Sequence, residues 1–176
     1  MMNELFILGE LMEGPQNGYQ LRCAMQISLG HHRRISFGVI YPLLEKLAHS
    51  GFITLSNASD KRRTNIASIT DKGKARFFEL MEQPVQRGAY NADIFLIKLD
   101  AMQHFPIEKQ LIFLDEFINE QSIIIDNTNK AIEKLLKEKC TDHWYAQKKL
   151  DLRIQQSTVT MQWAKAFRKD LENISQ

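Results

Sequence analysis

Apolar residues recur along this chain with two different periods, and the change of period divides it. Up to residue 50 they fall three or four residues apart, which is typical of amphipathic helices. Two short stretches, 52–56 and 65–69, instead have the composition of strands and flank the polar segment 57–64. From residue 70 the helical period returns. We therefore expect a mainly α protein with one β-hairpin.

Capping residues mark where the predicted helices begin and end. Gly14 and Pro15 end the first helix, and Asn17 with Gln20 three residues later forms a capping box for the second. Gly30 ends the second helix, and Thr70 begins the helix after the hairpin. Three helices, a hairpin and another helix follow each other in the order of a winged helix-turn-helix.

The third helix begins at Ser36 as N-cap and ends before Gly51, a left-handed stop. One apolar stripe runs along it: Ile40, Leu43, Leu44 and Leu47. Its start is unusual, because Gly38 costs about 1 kcal/mol relative to Ala and Pro42 donates no backbone hydrogen bond. A bare helix start exposes N–H groups that suit phosphate. This pattern predicts a recognition helix at 36–50.

Charge is concentrated around this helix. The net charge of the chain is +2, and residues 84–176 are balanced at zero. Residues 14–63 carry +5, including Arg33 and Arg34 before the helix and Lys61, Arg62 and Arg63 in the polar segment. A phosphate footprint and a solvated basic face both fit this excess.

The sequence as a whole predicts two domains, a winged domain at 1–83 and a helical domain at 84–176. The linker between them lies near Pro84 and Gly88. A helix at 106–139 carries an a/d heptad seam, and the helix at 142–172 is apolar on more than one face. Two such antiparallel helices need a partner surface, which predicts a homodimer. The candidate dimerisation residues are Leu111, Leu114, Ile118, Ile125, Ile132, Leu135, Ile154, Met161 and Trp163.

Several classes of protein are disfavoured by what the chain contains. No apolar run approaches the ~20 residues of a membrane span, no basic signal segment opens the chain, and Cys23 and Cys140 have no metal or redox spacing. We expect a cytoplasmic location. The pair His31 and His32 lacks a third metal ligand, and no catalytic motif occurs. We expect no metal, no cofactor and no enzymatic activity.

Three sequence blocks, 8–21, 36–47 with Gly51 and Phe52, and 69–73, resemble the PadR family of bacterial winged-helix regulators. The resemblance implies a DNA-binding winged helix, usually a repressor, that dimerises through C-terminal helices. The tail is similar to that of the longer-tailed subfamily. Ile66 and Ala67 depart from the family pattern, which often has aromatic residues there.

The residues expected to contact DNA lie in and around the recognition helix and in the wing, which is the polar segment 57–64. Ser36 and the first-turn amides suit phosphate, and Tyr41 and Lys46 suit phosphate or base edges. Packing in the core remains an alternative for the rings of Phe37 and Tyr19. The full set of candidates is Tyr19, Arg33, Arg34, Ser36, Phe37, Gly38, Tyr41, Lys46, Lys61, Arg62 and Arg63.

Our hypothesis is a homodimeric, sequence-specific transcriptional repressor that binds an inverted-repeat operator in double-stranded DNA. Two alternatives remain open. One is a sensor of phenolic compounds or drugs, in which Trp144 and Trp163 line a pocket for a small-molecule effector and DNA binding is secondary. The other is a helical adaptor whose winged domain binds protein.

Overall fold

The computed structural model describes residues 2–30, 36–57, 65–85, 91–137 and 143–174. Helices dominate it, as the sequence predicted. In chain order the elements are α1 (Met2–Glu13), β1 (Gln16–Asn17), α2 (Gly18–Leu29), α3 (Phe37–His49), β2 (Ile53–Asn57), β3 (Asn65–Ile69), α4 (Asp71–Glu82), α5 (Asn91–Ala101), a 3-10 turn (Met102–His104), α6 (Ile107–Lys137) and α7 (Trp144–Ile174).

The strands form an antiparallel sheet in the order β1-β3-β2. The predicted hairpin is confirmed, with Ile53 opposite Ile69 and Asn57 opposite Asn65. The two-residue strand β1 was not predicted, because two polar residues carry no alternating pattern. It makes β3 the central strand, so that Ala67 lies opposite both Gln16 and Leu55 and is fully buried.

The predicted caps of α2 and α4 have the expected geometry. The Asn17 side chain accepts hydrogen bonds from the backbone N–H groups of Tyr19 and Gln20, and the Gln20 side chain accepts from the Asn17 N–H at 2.9 Å. Thr70 Oγ1 accepts from the Gly73 N–H at 3.0 Å. These side chains satisfy amides that a helix start leaves unpaired. Local hydrogen bonding therefore fixes where α2 and α4 begin.

The core of the amino-terminal part lies between α1, the inner faces of α2, α3 and α4, and the sheet. At its rim the Arg76 guanidinium donates to Glu4 Oε1 at 2.8 Å and ties α4 to α1. That hydrogen bond raises the pKa of Arg76 above its ordinary value. The fully buried large side chains of this core are Phe6, Ile7, Leu8, Leu11, Leu21, Met25, Ile40, Phe77, Leu80 and Ile97.

The two compact units of the structure divide after Phe105, whereas we expected the boundary between residues 83 and 84. Helix α5 causes the difference, because it packs on α1 and α2 and belongs to the first unit. Its buried Lys98 donates to the carbonyl oxygens of Met81 at 2.8 Å and of Gln83 at 2.5 Å. The amine thus caps the end of α4 and binds it to α5 across the expected boundary.

The second unit is a hairpin of α6 and α7, which pack against each other extensively. Arg168 near the end of α7 donates from Nε to Asp115 Oδ1 near the start of α6 at 2.7 Å, so the helices are antiparallel. The buried positions repeat every seven residues on both helices, as in a coiled coil. The positions in this seven-residue series are Leu114, Gln121 and Thr128 on α6, and Ser157, Ala164 and Leu171 on α7; Phe113 and Phe117 of α6 are buried as well.

The heptad seam of α6 is therefore used within one chain, although we expected it to join two chains. Leu114 is fully buried in the single chain, and the other predicted dimerisation residues of α6 are half-buried, as are Ile154 and Met161 of α7. A heptad repeat predicts a helical partner without saying whether it is the next helix or a second copy.

None of the helices in the described residues has both the length and the apolar character that a membrane span requires.

Gly73 offers a direct test of the packing of α4. A Cβ at this position would lie 2.0 Å from the Phe52 carbonyl oxygen and 2.8 Å from Ile69 Cγ1. We predict that Gly73→Ala lowers the free energy of unfolding by about 1–3 kcal/mol, because backbone must move. Urea denaturation of the variant and of the original protein measures this difference in the free energy of unfolding.

Gly38→Ala is the matched control for this substitution. A Cβ at Gly38 would meet only Ser36 Oγ, at 3.6 Å, which is ordinary contact. This variant should be as stable as the original protein or more stable by up to about 1 kcal/mol, from the higher helix propensity of Ala. An equal effect at both glycines would contradict the packing described for α4.

Candidate nucleic-acid interface

The start of α3 leaves its hydrogen-bonding groups available. Ser36 occupies the N-cap position with φ −90° and ψ 155°, as predicted, but its side chain makes no capping hydrogen bond. Its carbonyl oxygen accepts from the Val39 N–H at 3.0 Å. Apart from Ser36 Oγ, the space in front of Gly38 is open within the described chain. An approaching ligand can therefore reach the hydroxyl and the backbone of the first turn.

Three aromatic rings form a row beside this helix start. The rings of Tyr19 and Phe37 are stacked with centroids 6.5 Å apart, and those of Phe37 and Tyr41 are stacked at 5.7 Å. All three residues are exposed, by 58%, 42% and 44% in the same order. Phe37, for which packing under the helix was an alternative, lies in this row at the surface. Exposed large apolar groups in a cluster mark an interaction surface.

Arg22 of α2 lies against the aromatic row. Its guanidinium carbon is 4.9 Å from the centroid of the Phe37 ring and 5.6 Å from that of Tyr19, within cation–π distance. Its Nε is buried and has no hydrogen-bond partner among the described residues. The rings, together with a hydrogen bond from Nη2 to Cys23 Sγ at 3.9 Å, hold the guanidinium, while Nε is left unused. We did not predict this site from the sequence, although the three-residue step from Tyr19 to Arg22 is a signal for it.

Gly18 makes room for the last ring of the row. A Cβ at Gly18 would lie 2.9 Å from Cε1 of Tyr41 and 3.2 Å from its Cζ. The Tyr41 ring therefore packs directly on the backbone at the start of α2. Because of this contact, the capped start of α2 and the start of α3 form one surface.

The buried stripe of α3 decides which of its residues face outward. Ile40, Leu44 and Leu47 are buried, and Val39 and Lys46 are exposed. Lys46 follows Phe37 by nine residues, so the helical repeat places it on the opposite side of α3 and two and a half turns away. It borders an open groove of about 490 Å³ whose other lining residues are Glu4, Phe52, Lys72, Ala75, Arg76 and Glu79. The structure thus brings Tyr19, Phe37 and Tyr41 together and separates Lys46 from them.

Five of the predicted DNA-contacting residues fall outside the part of the chain that the structure describes: Arg33, Arg34, Lys61, Arg62 and Arg63. Ala67 of β3, where the resemblance to the PadR family implies an aromatic residue, is fully buried between β1 and β2, which leaves no space for a ring.

The two tryptophans do not share a pocket within one chain. Both lie on α7, nineteen residues apart, which is about 28 Å along a helix. Trp144 contacts the Tyr145 ring edge-on at 4.8 Å, and Trp163 lies 5.5 Å from the Phe167 ring. Each tryptophan is about half exposed. Within the described part of the chain, no group of three His, Cys, Asp or Glu side chains is placed to hold a metal ion.

Helices α2 and α3 with the β2–β3 hairpin define a winged helix-turn-helix protein. Residues 7–79 match the family model described as the transcriptional regulator PadR-like family. Over this segment the chain matches the PadR-like family, and the resemblance seen in the sequence is confirmed. Among curated proteins, none matches the chain significantly.

Solved structures of the same kind are similar to the chain at low identity. Bacillus subtilis PadR in complex with operator DNA is 18% identical, with a TM-score of 0.44, covering 94% of this chain and 96% of that one. The same protein in complex with p-coumaric acid is 18% identical with a TM-score of 0.42, covering 97% and 96%. The PadR-like regulator BC1756 of Bacillus cereus is 23% identical with a TM-score of 0.43, covering 97% and 98%.

Proposed function

We propose that the protein is a sequence-specific DNA-binding regulator that represses transcription as a homodimer on an inverted-repeat operator. The observation that carries the proposal is the start of α3. There the Ser36 hydroxyl makes no capping hydrogen bond, the space at Gly38 is open, and an exposed aromatic row lies beside them. In a winged helix of the PadR-like family, this surface suits a duplex. Helix α3 would enter the major groove, and the wing at 57–64 would lie on the adjacent backbone.

Phosphate contacts in this proposal come from two kinds of group. Ser36 and the first-turn amides offer neutral donors at the positive end of a helix. Arg22 offers a guanidinium already restrained by two rings, so that less side-chain entropy is lost on binding. The basic side chains of the sequence hypothesis complete the footprint: Arg33, Arg34, Lys46, Lys61, Arg62 and Arg63.

The dimer in this proposal uses the outer stripe of α7, which consists of Tyr145, Leu152, Val159 and Trp163. The first three lie seven residues apart and Trp163 follows four residues later, so all four share one side of the helix. All are exposed although apolar, whereas the opposite side of α7 is buried against α6. A second copy placed by a two-fold axis would cover this stripe and set the distance between two α3 helices.

Gly38→Ala tests the start of α3 as the DNA-contacting surface. We predict that it weakens binding to a duplex from the DNA upstream of the protein's own gene by about tenfold, which corresponds to one lost hydrogen bond to a charged group. The added methyl stands where a phosphate would approach. Fluorescence anisotropy at fixed salt measures the affinity. Unchanged affinity in this stably folded variant would remove the first turn of α3 from the interface.

Arg22→Met tests the guanidinium at the aromatic row. We predict that the plot of log affinity against log salt concentration becomes shallower by about one, because one phosphate contact is lost. Lys74→Met is the control, since Lys74 is half exposed on α4 and pairs with Asp71 at 3.2 Å. Its salt slope should equal that of the original protein. Equal slopes for all three proteins would exclude Arg22 from the footprint.

Val159→Glu tests the outer stripe of α7. We predict that the original protein sediments as a dimer and that this variant sediments as a monomer, because a carboxylate would be buried without a partner. Leu114→Ala is the control for hairpin stability: it should lower the free energy of unfolding by about 2–5 kcal/mol and leave a dimer. A Val159→Glu variant that remains a dimer would place the interface elsewhere.

A further inference from the structure

The exposed positions of the first two turns of α3 are almost free of hydrogen-bonding side chains. Phe37, Gly38, Val39, Tyr41 and Pro42 are all exposed. The Tyr41 hydroxyl is the one polar side-chain group among them. Charged side chains on this helix begin only in its third turn, at residue 45. The part of a recognition helix that reaches deepest into a groove is here apolar.

The chemistry of the major groove limits what such a face can read. Guanine, adenine and cytosine are recognised through hydrogen bonds with Arg, Lys, Asn, Gln, Glu, Asp, Ser or Thr, and none of these occurs between residues 37 and 42. The feature of the groove that apolar groups can recognise is the 5-methyl group of thymine. An apolar face at this position therefore suits thymine better than any other base.

Val39 and Pro42 are the residues best placed for this contact. They are three residues apart and lie on the same side of α3, followed one turn later on that side by Lys46. Val39 is 43% exposed, and the buried stripe of Ile40, Leu44 and Leu47 keeps it facing outward. The open space at Gly38 allows the backbone to come close to the groove.

We propose that Val39 and Pro42 recognise thymine in each half-site through its 5-methyl group, so that the operator is selected by methyl contacts rather than by side-chain hydrogen bonds to bases. The proposal rests on the DNA-binding function proposed above. A protein partner would also cover exposed apolar groups, but the charge of +5 in the sequence segment 14–63, which contains α3, favours a polyanion.

The test replaces thymine by deoxyuridine, which removes the methyl group and keeps every hydrogen-bonding group. A duplex is first selected by the full-length protein from a random pool. Each thymine is then replaced in turn, and affinities are measured at fixed salt. We expect a loss of about fourfold at one or more positions of each half-site, the effect of withdrawing one methyl-sized group from apolar contact.

Variants of the protein assign the contact. Val39→Ala should bring the ratio of affinities for thymine and deoxyuridine at that position close to one, because the contacting methyl groups are gone. Ile27→Ala is the matched control, since Ile27 is a β-branched residue exposed on α2, outside α3. It should keep the ratio of the original protein.

The outcomes separate this inference from the function on which it rests. Equal affinity for thymine and deoxyuridine at every position would overturn thymine recognition and leave DNA binding intact. A ratio that Val39→Ala does not change would overturn the role of Val39. If no duplex is enriched and duplex affinity does not depend on salt, the proposed function fails as well, and the apolar face belongs to a protein partner.

Discussion

The burial of Ile40, Leu44 and Leu47 is the constraint on which the candidate site depends, because it fixes the rotation of α3 about its own axis. Once these three side chains enter the core, Val39 and Pro42 must face outward, and Tyr41 must lean toward α2. The contact of the Tyr41 ring with Gly18 then joins the starts of the two helices. A rotation of α3 by one residue would expose part of the core, at a cost of roughly 1.5–3 kcal/mol for each large apolar side chain.

How far the sequence predicted the structure depended on whether the signal was local. The capping box of Asn17 and Gln20, the start of α4 at Thr70 and the strand period of the hairpin are all contained within a few residues, and the structure has them. Strand β1 was missed because two residues define no period. The aromatic row was only partly predicted: the sequence marked Tyr19, Phe37 and Tyr41 separately, and their stacking depends on how α2 packs on α3.

The sequence left ambiguous those signals whose meaning depends on which second element packs against the first. The heptad seam of α6 is real, but α7 of the same chain already packs on it and helps to bury Leu114, Gln121 and Thr128. Likewise, Pro84 and Gly88 have the composition of a linker, yet the Lys98 amine binds the carbonyl oxygens at the end of α4. In both cases periodicity or composition indicates that an element needs a neighbour or a turn. Only the three-dimensional packing tells which neighbour it has.

The residues of α3 that violate local preferences are the residues of the candidate site. Gly38 lowers helix propensity without relieving any close contact, and Pro42 withdraws a backbone donor inside the helix. Gly73 differs, because the Phe52 carbonyl oxygen occupies the place of its Cβ and so explains the glycine by packing alone. When a residue that disfavours its local structure is explained by packing, as Gly73 is, it serves the fold. When packing gives no explanation, as at Gly38 and Pro42, the residue marks a surface shaped for something outside the chain. This criterion supports the proposal that the start of α3 contacts a ligand.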